Sequence, residues 1–111
     1  MELSKIENLE KYIEYQQDSA VSKTVLKKQS GNVTLFAFDK GQGLSEHTAP
    51  FDAMVVILDG KAEIKIEAEE FHLSRGESII MPAGKPHALK AIEKFKMMLI
   101  MIKEQELVQL S

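Results

Sequence analysis

The chain has 111 residues, 44% of them hydrophobic and 28% charged, which is the size and composition of one globular domain. It has no cysteine, so disulfides, thiolate metal sites and cysteine nucleophiles are excluded. Its net charge of −3 gives no basic surface for nucleic acid. We find no secretory signal pattern and no apolar run near the ~18 residues of a membrane span, so we expect a cytoplasmic protein that binds neither nucleic acid nor membrane.

The amino-terminal segment, residues 4–15, has a helical pattern, with Ser4 as a cap and Glu7 three residues later. Its apolar residues recur at helical spacing: Ile6, Leu9, Tyr12 and Ile13. The pattern predicts a short helix there. We expect residues 1–32 to form this helix and a first strand, which pack on a barrel formed by residues 33–111.

Two strand-like runs follow, on either side of a Ser30-Gly31-Asn32 turn, and together they predict a hairpin. The next strand-like run, AMVVIL at residues 53–58, is apolar almost throughout, which is typical of a buried strand. It ends in Asp59-Gly60, a strong turn pair. We therefore expect the chain to enter a second hairpin at Asp59-Gly60.

The segment KAEIKIEA, residues 61–68, alternates strictly, with Ala62, Ile64 and Ile66 on one face. Further strand-length fragments follow, separated by Gly and Pro at residues 75–76 and 82–86. This regular spacing is typical of a sandwich or a closed barrel. The last fragment, KFKMMLIMIK at residues 94–103, is apolar on both faces. Both of its sides should be covered, by the amino-terminal segment or by a second subunit.

Two segments resemble, in order and spacing, the two motifs of the cupin superfamily. The first, GQGLSEHTAPFDAMVVILDG, matches at Gly41, His47 and Gly60. The second, GESIIMPAGKPHALKA, matches at Gly76, Pro82, Gly84 and His87. The resemblance implies an all-β fold, a double-stranded β-helix or jelly-roll barrel of six to eight strands with an interior pocket, here with a short N-terminal helix.

The chain departs from the residues that hold the family's metal, which are three histidines and a glutamate. Ala49 stands at the second histidine position, Ala53 at the glutamate position, and Ala91 at the asparagine that ends the second motif. His47 and His87 remain. The resemblance therefore implies a barrel with a pocket, but it does not by itself imply the family's metal chemistry.

The spacing of the two histidines predicts which residues share their pocket. Residues two apart on a strand share a face, so an inward row includes each histidine and its alternate neighbours. The predicted pocket residues are His47, Ala49, Ala53, Val55, Ile57, His87, Leu89 and Ala91. An apolar pocket with a few polar groups is a usual form of small-molecule site, and here the two histidines are the polar groups.

A metal remains an alternative to a metal-free pocket. Two imidazoles are fewer than the three protein ligands of a catalytic zinc or non-haem iron site. The nearest carboxylates, Glu46 and Asp52, have the opposite strand parity and should point outward, and His72 lies between two apolar neighbours and should face solvent. The alternative is a divalent transition metal, Fe, Mn, Ni or Zn, held by His47 and His87.

Three functions stay open at this stage. The first is a binding module for a small, partly apolar ligand, without catalysis. The second is a small metal-dependent cupin enzyme of the oxygenase or isomerase class. The third is a metal-free enzyme in which one histidine moves a proton. Cupins similar to this chain commonly form homodimers through strand or sheet contacts, and the two-sided apolar strand over residues 95–102 likewise predicts a homodimer.

Overall fold

The computed structural model describes residues 1–103. The elements in chain order are α1 (Leu9–Tyr12), β1 (Ala20–Lys28), β2 (Gly31–Phe38), β3 (Gly43–His47), β4 (Ala53–Ile66), β5 (Glu69–Ser74), β6 (Ser78–Met81), β7 (His87–Lys90) and β8 (Phe95–Ile102). The strands pair in the order β1-β2-β8-β4-β7-β3, and β5 and β6 also pair with β4. Every pairing is antiparallel. The predicted all-β jelly-roll fold and the β1–β2 hairpin are confirmed.

The long strand β4 belongs to both halves of the curled sheet. Residues 53–60 pair with β8 and, over their first part, with β6; together with β1 and β2 these strands form sheet A. Residues 61–66 pair with β5 and, over their last part, with β7; together with β3 these strands form sheet B. The barrel interior lies between the inner faces of the two sheets.

The prediction of a hairpin turn at Asp59-Gly60 is wrong, because both residues lie inside β4. The register with β8 shifts between Ile57 and Asp59, which marks a β-bulge. Gly60 has φ +75°, and a Cβ there would lie 1.9 Å from the carbonyl oxygen of Lys94. A bulge bends and twists a strand, and this one carries β4 from sheet A into sheet B. The hairpin turn comes later, at residues 67–68.

The amino-terminal helix is shorter than predicted and starts later. The side chain of Asn8 caps it by accepting a hydrogen bond from the backbone N–H of Lys11, whereas Ser4 has φ +57° and lies outside it. Asn8 and Ile13 have extended backbone on either side of Leu9–Tyr12, so the pattern over residues 4–15 yields a single turn. Within residues 1–103, no helix is long and apolar enough to cross a membrane. The cytoplasmic location stays a prediction.

The main core shows the predicted alternation of β4, with one change of phase. Val55 and Ile57 point inward before the bulge, and Ala62 and Ile64 point inward after it. An extra residue in a strand reverses which positions face the core, so the bulge explains this change from odd to even numbers. The buried members of this core are Phe38, Ala53, Val55, Ile57, Ala62, Ile64, Leu73, Met81, Leu89, Ala91, Phe95, Met97 and Leu99.

A second core lies on the outer face of sheet A, beneath the amino-terminal segment. Its buried residues are Ile13, Leu35 and Ala37, and Met98 of β8 packs against them. The sequence leaves open whether the amino-terminal segment or a second subunit covers the second face of the last strand; in this part of β8 the amino-terminal segment packs against Met98. Beyond it, Ile102 is 67% exposed.

Polar contacts hold the amino-terminal segment over the bulge. The hydroxyl of Tyr15 donates to Asp59 Oδ2 at 2.7 Å, and Lys96 Nζ donates to the carbonyl oxygen of Glu10. Arg75 pairs with the carboxylate of Glu10 and also donates to the carbonyl oxygen of Leu58. Burial and the neighbouring Asp59 carboxylate raise the pKa of Tyr15, so its hydroxyl keeps its proton and remains a donor.

Candidate functional site

The ends of two neighbouring strands bring the two motif histidines together. His47 is the last residue of β3 and His87 is the first residue of β7, and the antiparallel register pairs them directly. Their ring centroids are 4.4 Å apart with the ring planes at 72°. The two Nε2 atoms approach to 3.1 Å. The structure thus places both imidazoles at one end of the barrel and in contact.

The backbone fixes the orientation of each ring. His47 Nδ1 lies 2.7 Å from the carbonyl oxygen of Ser45, and His87 Nδ1 lies 3.1 Å from that of Lys85. A carbonyl oxygen only accepts hydrogen bonds, so we assign the hydrogen of each neutral ring to Nδ1. Each Nε2 then carries a lone pair, and the two lone pairs face each other. One shared proton or one cation between the Nε2 atoms satisfies both.

The two rings differ in their exposure to water. His87 is only 4% exposed, whereas His47 is exposed. Burial lowers the pKa of His87, the neighbouring His47 lowers it further, and the hydrogen bond to the Lys85 carbonyl raises it in part. These effects favour the neutral form of His87, which keeps the lone pair on its Nε2 available.

Five of the other predicted pocket residues lie in the main core. Each is 4% exposed or less: Ala53, Val55, Ile57, Leu89 and Ala91. They pack against one another and against the remaining core residues, so the structure does not expose them to a ligand in this conformation. Ala49 is half-buried, and its carbonyl oxygen accepts a hydrogen bond from Gly84 N at 2.8 Å. The interior pocket stays a prediction.

A cavity of about 510 Å³ opens at the same end of the barrel. Its lining comes from the β4–β5 turn and the β6–β7 loop: Ile66, Glu67, Ala68, Glu69, Phe71, Pro82 and Lys85. Ile66 is the register partner of His87, so the cavity adjoins the strand that carries the buried ring. Lys85 Nζ pairs with Glu67 Oε1 at 2.8 Å across the rim. Sequence reasoning missed this cavity because it placed the hairpin turn eight residues too early.

The two nearest carboxylates do not join the histidine pair. Glu46 and Asp52 are both exposed, as their strand parity predicts. Asp52 Oδ1 accepts a hydrogen bond from the backbone N–H of Ala83 at 2.8 Å. Its role is therefore to hold the β6–β7 loop against the β3–β4 connection.

The third histidine lies on the outer face of sheet B, and the prediction that it faces solvent is confirmed. The side chain of His72 is 67% exposed, and its Nε2 lies 3.5 Å from Glu63 Oε1. The β4–β5 register also brings Glu70 close, so donor atoms of Glu63, Glu70 and His72 all lie within 4.8 Å of one another. Sequence reasoning missed this cluster because it depends on the register between two strands.

The histidine pair fits part of a metal site. A metal-ligating histidine commonly donates its other ring N–H to a carbonyl, as both rings do here. Ala49 and Ala53 offer methyl groups where the family has ligands. Over residues 1–103, three His, Asp or Glu side chains come close enough together to share a metal in the cluster of Glu63, Glu70 and His72 on sheet B. That cluster includes neither His47 nor His87. The residues therefore do not fit the family's four-ligand set.

Comparisons with known proteins agree with this fold. The family model described as "Cupin domain" matches residues 34–103. A conserved protein of unknown function from Streptococcus pyogenes is 42% identical, with a TM-score of 0.90, over 95% of this chain and 92% of that one. A cupin superfamily protein from Desulfitobacterium hafniense is 25% identical, with a TM-score of 0.88, over 94% of this chain and 95% of that one.

A further solved structure shows the same domain within a longer chain. The cupin 2 conserved barrel domain protein from Leptotrichia buccalis is 41% identical, with a TM-score of 0.84, over 86% of this chain and 47% of its own. No protein with a curated function matches the chain. The matched residues, the two motifs and the jelly-roll topology lead to one conclusion: the chain belongs to the cupin superfamily, as a small single-domain cupin.

Proposed function

We propose that this cupin binds a small, partly apolar molecule at the barrel end marked by His47 and His87. The observation that carries the proposal is the contact of an exposed ring with a buried ring, with the Nε2 atoms 3.1 Å apart and both Nδ1 atoms held by backbone carbonyls. A fixed polar pair beside apolar walls is the usual composition of a small-molecule site.

The adjacent cavity supplies those apolar walls. Ile66, Phe71 and Pro82 contribute apolar surface to it, and its volume of about 510 Å³ is within the common range for ligand sites. The exposed His47 is the group that a ligand reaches first, and it can form a hydrogen bond with a carboxylate or a hydroxyl group.

A panel of small carboxylic acids, sugars and aromatic metabolites, screened by thermal shift and followed by titration calorimetry, tests this proposal. We expect at least one class to stabilise the wild-type protein and the His72→Ala variant, which removes an exposed histidine outside the site. We expect His47→Ala to abolish that stabilisation. Failure of every class to stabilise the wild type, or full binding by His47→Ala, would contradict the proposal.

A second candidate is a small metal-dependent cupin enzyme of the oxygenase or isomerase class. It is favoured by one observation, the approach of the two Nε2 atoms to 3.1 Å, because neutral imidazoles with hydrogens on Nδ1 would offer both Nε2 lone pairs to Fe, Mn, Ni or Zn. With two protein ligands, water or a substrate would complete the shell. A metal held by His47 and His87 would supply a Lewis acid.

Elemental analysis of protein purified without an affinity tag separates this candidate from the first. A metal-binding pair predicts stoichiometric metal that is lost in both His47→Ala and His87→Ala and retained in His72→Ala. Circular dichroism checks that His87→Ala, which truncates a buried ring, still folds. Trace metal that is unchanged in both variants would remove the candidate.

A homodimer and a cytoplasmic location belong to the same proposal. The dimer is supported by the part of β8 that the amino-terminal segment leaves uncovered, where Ile102 is 67% exposed. The location is supported by the absence of cysteine from the sequence, which suits a reducing compartment.

A further inference from the structure

Two carboxylates and one imidazole meet on the outer face of sheet B. Glu70 and His72 are two residues apart on β5, so their side chains share one face of the strand. Glu63 of β4 is the direct register partner of His72. Directly paired residues lie side by side on the same face of a sheet, which brings Glu63 to the other two side chains. We call these three residues the sheet B cluster.

The donor atoms of the sheet B cluster are close enough to share one cation. They all lie within 4.8 Å of one another, and His72 Nε2 is 3.5 Å from Glu63 Oε1. Two ligands that are each about 2.1 Å from a tetrahedral zinc ion are about 3.4 Å from each other. His72 and Glu63 are already near this separation, and the exposed side chain of Glu70 has room to move inward to it.

The charge of the sheet B cluster favours a divalent cation. Two ionised carboxylates beside a neutral imidazole carry about two negative charges, which one divalent cation balances. Lys65 is the register partner of Glu70, and Lys90 is a register partner of Glu63. Among the ion pairs of residues 1–103, however, neither carboxylate is paired with a lysine or an arginine, and Glu63 is paired with His72. The carboxylate oxygens are therefore available to a metal.

The backbone holds the sheet B cluster in place. Six register pairs join β5 to β4 along the whole of β5. On the inner face of the same two strands, Ile64 and Leu73 are buried in the main core, which anchors both strands. Side chains on regular strands are positioned more precisely than side chains on loops. The three donors are therefore brought together by the fold before any metal arrives.

A cavity of about 320 Å³ lies beside the sheet B cluster. Glu63 and His72 contribute to its lining, together with Ser74 and Ile92. A zinc ion with three protein ligands keeps a fourth position for water or another small molecule. The cluster supplies three ligands, and the cavity leaves space next to two of them for the fourth.

We propose that the sheet B cluster binds a divalent transition metal, for which Zn²⁺ is the best match, at a site separate from the histidine pair. An imidazole nitrogen with two carboxylate oxygens is a donor set that suits zinc, whereas Ca²⁺ and Mg²⁺ are bound through oxygen. Glu63, Glu70 and His72 are the three protein ligands, and water completes the shell from the side of the cavity. The site lies on the outer face of sheet B, so it does not depend on the proposed ligand site at the barrel end.

Zinc titration of chelator-treated protein, purified without an affinity tag, tests the proposal. The His47→Ala variant is the background, because it removes the accessible ring of the histidine pair and leaves the sheet B cluster intact. This variant should bind one equivalent of Zn²⁺ in titration calorimetry. Adding His72→Ala or Glu70→Gln should raise the Kd for Zn²⁺ by about 100-fold or more, because loss of a group that merely supports a ligand already costs about 10- to 100-fold.

Glu69→Gln is the matched control for Glu70→Gln. It makes the same change at the neighbouring exposed residue of β5, whose side chain has the opposite strand parity. Its Kd for Zn²⁺ should equal that of the His47→Ala background. Absence of zinc binding in that background, an unchanged Kd after His72→Ala, or equal Kd values for the two glutamine variants would overturn the proposal.

Nitrogen NMR of the histidine rings provides an independent measurement that needs no substitution. Zinc should shift a ring-nitrogen resonance of His72 in the wild-type protein, and this shift supports the proposal whether or not the histidine pair also responds. Saturation with zinc that leaves the ring nitrogens of His72 unchanged would overturn the proposal, even if one of the variants does not fold.

Discussion

The two motif histidines are directly paired across β3 and β7, yet one is exposed and the other is 4% exposed. This asymmetry disfavours the protonated form of His87. A proton placed on His87 would lie in the protein interior beside a second imidazole, and both conditions oppose it. At the scale of single residues, the pair therefore combines an accessible ring with a neutral partner behind it.

The lowered pKa of His87 makes the stability of the fold depend on pH. In the unfolded chain this ring titrates near 6.5, so below that pH the unfolded state binds a proton that the native state does not. The free energy of unfolding should fall as pH decreases through 6.5 toward the lower native pKa, by about 1.4 kcal/mol for each unit of difference. Urea denaturation at a series of pH values measures it.

The His87→Gln variant isolates this effect from other titrating groups. Its free energy of unfolding should lose the part of the pH dependence just below 6.5, whereas His72→Gln, a change at an exposed position, should keep it. Identical pH profiles for wild type and His87→Gln would show that the buried ring is not the group responsible.

At the scale of elements, the sequence predicts the two parts of β4 but not the bulge that joins them. The strict alternation over residues 61–66 and the apolar run before it identify both parts of β4 and their inward residues. The Asp59-Gly60 pair requires a positive φ at glycine, and this requirement is the same in a tight turn and in a bulge. The close approach of the Lys94 carbonyl oxygen to Gly60 distinguishes the bulge from a turn. Lys94 lies more than thirty positions further along the chain, so local sequence does not reveal this contact.

Replacing Gly60 tests this reading of the bulge. Gly60→Ala adds a Cβ at φ +75° that would lie 1.9 Å from a β8 carbonyl oxygen, so the strands must move apart. Gly76→Ala is the control, because Gly76 has φ +85° but no atom within 4 Å of the added Cβ. We expect about 1 kcal/mol of destabilisation for Gly76→Ala and clearly more, about 3 kcal/mol, for Gly60→Ala. Equal losses in urea denaturation would contradict the close approach.

The candidate site shows the same division between local and distant information. The meeting of His47 and His87 follows from the family motifs and from the two-residue period of a strand. The cavity beside Ile66 and Lys85 could not be predicted, because it depends on where β4 ends and on how the β6–β7 loop folds back. The helix start was also missed, since Ser4 and Asn8 are both acceptable caps and the left-handed conformation of Ser4 is not visible in the sequence.

At the scale of the whole molecule, the amino-terminal segment is part of the fold. It covers sheet A through the second core and is held by hydrogen bonds to the bulge and to β8. The two apolar faces of the last strand predict that both are covered, but they leave open whether the amino-terminal segment or a second subunit does so. The family model begins only at residue 34, so the amino-terminal segment lies outside the matched residues.

Two isoleucine substitutions measure how much the amino-terminal segment stabilises the protein. Ile13 is 3% exposed in the second core, so Ile13→Ala should lower the free energy of unfolding by about 2 to 4 kcal/mol. Ile6 is 99% exposed, and Ile6→Ala should change it by less than about 0.5 kcal/mol. Urea denaturation should show a single transition for both variants. A negligible effect of Ile13→Ala would mean that the segment is only loosely attached.

Because β4 passes through both sheets, the two sheets should unfold together. Each half of this strand has neighbours on both sides, β6 and β8 in sheet A and β5 and β7 in sheet B. Melting either sheet strips hydrogen bonds from the strand that the other sheet needs, so neither can come apart alone. The barrel therefore unfolds as a single cooperative unit. For the same reason, a circular permutant should tolerate new termini at the Gln29-Ser30 turn but not within β4.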